Sequence, residues 1–285
     1  MGEKNQTALV TGASSGIGRE TAKRLAAQGF MVIAAARRID RLNELADQVH
    51  GITPKQVDLS NTEDRENFCR YLTGLPDPVS VLVNNAGYSI RGSIEDVFLD
   101  DAKRLFEVNL FALIRVTQAC LPNMRVLRKG TIINISSMAG KFAFPMSGIY
   151  AASKYAVEAI SDALRIEVRP FGISVVAIRP GFIATEFNDV AGELTGDLMA
   201  RTDPDYKPVY QASGGGIGKM FVNATVPGPE IIADIILKAV ISDAPKTAYS
   251  AGFMSKEFLE QRDTLDDDAF DRFLTEKTGL AGLKV

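Results

Sequence analysis

The chain of 285 residues has no tryptophan, one histidine and two cysteines, and each shortage removes a class of chemistry. A single imidazole, His50, predicted at a helix end, supplies neither a Ser-His-Asp triad nor a histidine metal cluster and reads as a solvated cap. Cys69 and Cys120 each fall inside a segment with amphipathic helical spacing, which favours buried free thiols over a disulfide and a reducing compartment. There is no excess of either charge: 32 basic against 35 acidic residues leave a net of -3, so nucleic acid and anionic membranes are not expected partners and a small ligand is. No apolar run approaches the roughly 18 residues that span a bilayer. The start, MGEKNQ, is polar and offers no secretory leader, and Gln6 stands where a myristoylation signal needs Ser or Thr. These absences predict a cytoplasmic protein without a membrane span.

Two motif-like stretches lack what their motifs require. GGGIGK (214–219) has Met220 in place of Ser or Thr and no strand before it, so it is read as flexible cover and not as a phosphate loop. DTLDDDAFD (263–271) lacks the glycine and spacing of a calcium loop and reads as a charged helical surface; no metal is expected.

What is present is an alternation. Short runs rich in β-branched residues, TALVT (7–11), FMVIAAA (30–36), PKQVDL (54–59), VSVLVNN (79–85), GTIINIS (130–136) and GISVVAI (172–178), are separated by helical-period segments at 16–29, 40–50, 61–74, 99–127 and 147–170. Most of the runs are apolar throughout, as strands covered on both faces are. With a short strand near 246–250 this predicts a doubly wound α/β fold of about seven parallel strands in one domain, 1–285, with helices on both faces. Residues 186–226 are too long for a plain connector and are expected to form a partly helical lid, and 251–285 a helical extension.

The first strand runs into TGASSGIG, where Gly12, Gly16 and Gly18 occupy a strand-to-helix turn. Such a turn lets backbone approach a pyrophosphate, and the following helix presents free N–H groups to it. The spacing is not the usual G-x-G-x-x-G, so a ligand-free glycine turn remains open. At the end of the second strand, Ala36 occupies the place where NAD-specific sites carry an acid for the ribose 2′-hydroxyl. Arg37 and Arg38 follow, and guanidinium groups suit a 2′-phosphate, which favours NADP(H) over NAD(H); solvation of the strand end is the alternative.

Tyr150 and Lys154 are four apart at the start of a predicted helix and share one face, so the ammonium can favour the ionised phenol. An ordinary tyrosine titrates near about 10, and a nearby cation makes it a usable acid and base. A surface pair is the alternative for this spacing alone.

Six motifs in order carry a resemblance: TGASSGIG at 11–18, NNAG at 84–87, EVN at 107–109, ISS at 135–137, YAASK at 150–154 and RPG at 179–181. Together they resemble the signatures of the short-chain dehydrogenase/reductase family, single-domain branch, with neighbourhoods most like hydroxysteroid and retinol dehydrogenases. The resemblance implies a Rossmann-type fold and an oxidoreductase exchanging hydride between nicotinamide and a carbonyl or alcohol. It implies that Tyr150 transfers the proton and that Ser137 binds the same substrate oxygen. Lys154 would hold the nicotinamide ribose, and Asn109 would complete a proton relay through water. For the coenzyme it implies contacts from Ser14, Ser15 and Ile17 of the glycine turn, Asp58 and Leu59 at the adenine, Asn85, Ala86 and Gly87 at the ribose, and Pro180, Gly181, Ile183 and Thr185 at the nicotinamide. Asn84 reads as a residue joining strands, and a turn-forming Asn pair is the alternative for Asn85. A homodimer or homotetramer through the 99–127 and 147–170 helices is implied on the same ground.

Apolar residues crowd the substrate end: Met138, Phe142, Phe144 and Met146 between serine and tyrosine, then Phe182 and Phe187. They predict a hydrophobic small carbonyl or alcohol as substrate, with core packing as the competing explanation. A 3-oxoacyl-carrier-protein reductase and a non-catalytic NADP(H) sensor are the alternative functions.

Overall fold

The computed structural model describes residues 6–187, 198 and 202–285. Seven strands, β1 (Thr7–Thr11), β2 (Met31–Ala36), β3 (Ile52–Gln56), β4 (Val79–Asn84), β5 (Gly130–Ile135), β6 (Ile173–Pro180) and β7 (Ala248–Ala251), form one sheet in the order β3-β2-β1-β4-β5-β6-β7. All six pairings are parallel. The order reverses between β1 and β4, and open parallel sheets bind ligands beside such a reversal, at the carboxyl ends of the strands.

Helices α1 (Gly16–Ala27), α2 (Ile39–Gln48), α3 (Thr62–Thr73), α4 (Leu99–Phe106), α5 (Ala112–Leu127) and α6 (Gly148–Val168) are followed by α7 (Lys207–Met220), α8 (Glu230–Ile241), α9 (Ser255–Thr264) and α10 (Asp267–Lys277). Burial explains the largely apolar central strands. One face of the sheet packs Val10, Val83 and Ile178 with Leu25, Leu45 and Ile236 of α1, α2 and α8. The other packs Leu9, Leu82 and Ile132 with Phe68, Val116 and Leu164 of α3, α5 and α6. Both cysteines are buried free thiols on this second face. The continuous helix Leu99–Leu127 is long and apolar enough by composition to cross a membrane, but half of its most apolar window is buried inside the protein.

Two expectations shift. The strand expected at 54–59 lies at Ile52–Gln56, because Gly51, at φ 88°, turns the chain directly into it. Pro54 is tolerated there since β3 is an edge strand with only β2 beside it. Asp58 then ends the extended run by accepting from Ser60 N and Ser60 Oγ, at 2.9 and 2.7 Å. The glycine run 214–218 lies inside α7. Gly216 is required there: a Cβ would fall 2.2 Å from the Thr278 backbone, so the helix sits directly on the end of the C-terminal extension. Within the lid expected over 186–226, residues 188–197 and 199–201 lie outside the described residues.

Candidate active site

The carboxyl ends of β1, β4 and β5 and the first turn of α6 meet at one place. β5 delivers Ser136 and Ser137; the latter caps a short 3-10 turn, Met138–Gly140, by accepting from Ala139 N at 3.1 Å. The Ser137 hydroxyl also hydrogen-bonds the Tyr150 hydroxyl. One turn further along α6, Lys154 is 5% exposed, its Nζ donating to Ile135 O at 2.9 Å and lying 5.8 Å from the centre of the Tyr150 ring. Ser137, Tyr150 and Lys154, separated in sequence, thus form one partly buried cluster.

Its electrostatics differ from those expected of an isolated Tyr–Lys pair. Burial pushes the Tyr150 phenol up to about 12, opposed by the Ser137 hydrogen bond and by the charge of Arg91. Burial also pushes Lys154 down to about 8, opposed by Glu158. Glu158 is clamped by Arg179 through two bonds of 3.0 and 2.7 Å. Arg91, a residue the sequence reading passed over, is thus a second cation acting on the phenol beside Lys154. Its own charge is disfavoured by burial and favoured by Tyr150. The visible signal was an arginine within SIRGS, flanked by Ser89, Ile90 and Ser93, all buried.

Asn109 sits in a π-helical turn, Glu107–Phe111, between α4 and α5. Its amide is taken up by protein. Nδ2 donates to Tyr88 O and Ser153 Oγ at 3.0 and 3.1 Å, and Oδ1 accepts from Tyr88 N at 3.0 Å. The side chain ties the end of β4 to α6, one residue from Lys154. Asn84 joins strands as expected, donating to Asn134 Oδ1 at 2.9 Å and to Thr117 Oγ1 at 3.0 Å.

The glycine turn is built for close approach. Gly12 and Gly16 take φ of 67° and 53°, which other residues adopt only with strain. Gly18 follows in the first turn of α1, beside Ile17, which packs on the core. The Asn85 amide donates to Thr11 O and Gly12 O at 2.9 and 3.2 Å, fixing the turn, and Ala86 N donates to Thr11 Oγ1 at 3.1 Å. Gly87 lies beside Asn109 and Lys154. Helix α1 has no side-chain cap and no acid in its first turn, because the Ser15 hydroxyl accepts from Arg38 instead. Its first N–H groups are therefore presented to an anion.

Of the two arginines after β2, Arg38 is the one hydrogen-bonded at the start of this helix. It donates to Ser14 Oγ at 3.1 and 3.2 Å and to Ser15 Oγ at 2.8 Å, whereas the Arg37 carbonyl accepts from Gln56 and its side chain is exposed. Arg41, also passed over in the sequence, lies beside Arg38, and both pair with Glu186. Its signal was the three-residue spacing from Arg38 across the start of α2.

The remaining residues divide. Asp58 turns at the exit of β3, and Leu59 is buried in the core. Pro180 ends β6. Gly181 packs tightly on the 253–255 backbone, and Ile183 is buried in the core. Thr185 lies against Gly16, its methyl 3.2 Å from where a Cβ would stand. Phe187 packs on Tyr150, ring centres 5.9 Å apart. Met138, Phe142 and Phe144 are core residues of an aromatic cluster with Phe258 and Phe270 of α9 and α10, and Phe182 packs beside them. The competing explanation, core packing, thus describes Met138 and Phe142, and the partner is the C-terminal extension. Met146, at φ 62°, and Phe144 also line a cavity of about 260 Å³ with Ile94 and Leu274. Neither Ser137 nor Tyr150 borders that cavity, so the chemistry is placed by the hydroxyl cluster. Among the described residues no group of three or more His, Cys, Asp or Glu side chains could hold a metal ion.

A parallel sheet with a glycine turn at its point of reversal and a Ser–Tyr–Lys cluster across it defines a nicotinamide-dependent oxidoreductase architecture. The family model described as short chain dehydrogenase matches residues 6–194, and the chain belongs to that family. It is 33% identical over 273 residues to the uncharacterized oxidoreductase YbbO of Escherichia coli, covering 94% of each chain. It is 37% identical over 193 residues to the 3-ketodihydrosphingosine reductase of Bacteroides thetaiotaomicron, covering 67% of this chain and 70% of that one. Among solved structures, a short-chain dehydrogenase from Streptomyces avermitilis superposes with a TM-score of 0.78 at 29% identity, 96% of each chain covered. One from Sphingobium yanoikuyae in complex with NADPH gives 0.71 at 26% identity, covering 95% of this chain and 96% of that one.

Proposed function

We propose that this oxidoreductase uses NADP(H) and interconverts a ketone and a secondary alcohol on a lipophilic small molecule, with Tyr150 transferring the proton. The observation that carries it is the partly buried cluster in which the Ser137 and Tyr150 hydroxyls meet beside Lys154. A carbonyl oxygen placed at that meeting point receives two hydroxyl donors. Held neutral by burial, Tyr150 is a proton donor in the reducing direction. In the oxidising direction it must lose its proton first, and Ser137 and Arg91 both ease that loss.

The residues present fit a nicotinamide dinucleotide. When bound it supplies or accepts the hydride. The uncapped start of α1 and the glycine turn would receive the pyrophosphate. Lys154 uses one of its three N–H groups on Ile135 O, so two can serve the ribose hydroxyls. Asn109 is a positioning residue that holds α6 to the end of β4. Arg38 with Ser14 and Ser15 would receive a 2′-phosphate, and the solved relative holding NADPH supports the same preference.

A lipophilic substrate is supported by Phe187 against the tyrosine and by the sphingoid-ketone reductase among the relatives. Self-association is supported by exposed Phe98, Leu99 and Phe111 at α4 and α5 and by exposed Tyr155 and Ile166 on α6. The test is NADPH consumption by pure protein against ketones of rising chain length, with acyl thioesters as controls. Consumption that increases with the apolar length of the ketone supports the reading. Tight NADPH binding without consumption against any carbonyl overturns it.

A further inference from the structure

The Glu186 carboxylate is spread across two guanidinium groups at the end of β2. One oxygen accepts from Arg38 at 2.9 Å and Arg41 at 2.8 Å, and the other from Arg41 at 2.6 Å. The same Arg38 reaches Ser14 and Ser15, so two cations, two hydroxyls and one acid form a single cluster over the start of α1. A carboxylate bridging two arginines occupies the arrangement that a phosphate monoester would take. The two arginines hold the Glu186 carboxyl below its ordinary range. Its immediate neighbours also lie on the site: Thr185 covers Gly16 of the pyrophosphate turn, and Phe187 contacts Tyr150.

We propose that Glu186 is a resident stand-in for the coenzyme 2′-phosphate and that Arg41, together with Arg38, is a ligand of that phosphate. The proposal rests on the NADP(H) reading above. A phosphate dianion carries more charge and more acceptor oxygens than a carboxylate, so it displaces Glu186 from the two guanidinium groups. The pairs are solvent-exposed, with side-chain exposures of 45% and 39% for the arginines and 46% for the acid, so the displacement is easy. A coenzyme that offers only a 2′-hydroxyl leaves the carboxylate where it is. Glu186 is thereby a specificity-determining residue.

Adenosine 2′,5′-bisphosphate and 5′-AMP isolate the phosphate, and their binding can be titrated calorimetrically on the wild-type chain, Glu186→Gln and Arg41→Ala. The glutamine variant should bind the bisphosphate about three- to tenfold more tightly, the range expected from losing an exposed ion-pair competitor, with 5′-AMP unchanged within about twofold. Arg41→Ala should weaken the bisphosphate by a similar factor and spare 5′-AMP. Unchanged or weaker bisphosphate binding in Glu186→Gln overturns the proposal, as does equal tightening of both nucleotides. If the wild-type chain itself binds the two nucleotides equally, the NADP(H) reading fails and the proposal with it. A wild-type preference that Glu186→Gln leaves untouched defeats the proposal alone.

Discussion

The Lys154 ammonium lies 5.8 Å from the centre of the Tyr150 ring and spends one hydrogen bond on the Ile135 carbonyl. The lysine is thus anchored to the end of β5, the strand that also carries Ser137, and the tyrosine is held between them. Burial then sets the balance: it raises the phenol to about 12 and lowers the ammonium to about 8. Each shift opposes the ionised form, so the cluster favours a neutral acid and a readily neutralised base until charge arrives from a ligand.

A consequence for stability follows from Lys154. Its folded pKa of about 8 lies below the ordinary 10.5, so the contribution is complete above 10.5 and is lost as pH falls through about 8. Between those values the coenzyme-free protein should gain stability with rising pH, by at most about 3 kcal/mol. Tyr150 works in the separate window between 10 and about 12, where its contribution is lost as pH rises. Melting temperatures from pH 7.5 to 10 should rise for the wild type relative to Lys154→Met. Parallel curves would mean that the ammonium is not desolvated.

Arg91 gives a kinetic prediction. Its charge lowers the phenol pKa, so removing it in Arg91→Met should raise that pKa further. The acid limb of the alcohol-oxidation rate, which reports formation of the phenolate, should move to higher pH. Carbonyl reduction below pH 7 should change less, since it uses the protonated form. The pH profile of kcat in both directions checks this, and an unmoved acid limb would remove Arg91 from the account.

The coenzyme preference can be divided between the two arginines. Arg38→Ala should weaken NADPH about tenfold, the loss of a charge-assisted hydrogen-bonding partner, and alter NADH by less than about twofold. Arg37→Ala should weaken NADPH less, because the hydrogen bonds to Ser14 and Ser15 come from Arg38. Fluorescence titration of both dinucleotides decides between them.

Much of this was legible in the sequence because periodicity and position carried it. Short, largely apolar runs such as TALVT and GTIINI read as strands covered on both faces, and the i, i+4 spacing of Tyr150 and Lys154 put them on one helical face. What escaped depended on contacts between distant segments. Nothing near Met138 or Phe142 announces that Phe258 and Phe270, more than a hundred residues later, complete their packing. SGGGIG read as flexible because glycine disfavours helix, yet Gly216 is what lets α7 touch the Thr278 backbone. The sign of the Tyr150 shift was equally hidden: spacing shows that a cation can be near, but the cost of burying the phenol depends on Ser137, Arg91 and the fold around them.

The most direct measurement is turnover by Tyr150→Phe beside its coenzyme affinity. Loss of a positioned acid–base group should reduce kcat by about a hundred- to ten-thousandfold, with the NADPH dissociation constant within about twofold of wild type. A variant that binds NADPH normally and reduces its best ketone at the wild-type rate would contradict the assignment of proton transfer to Tyr150.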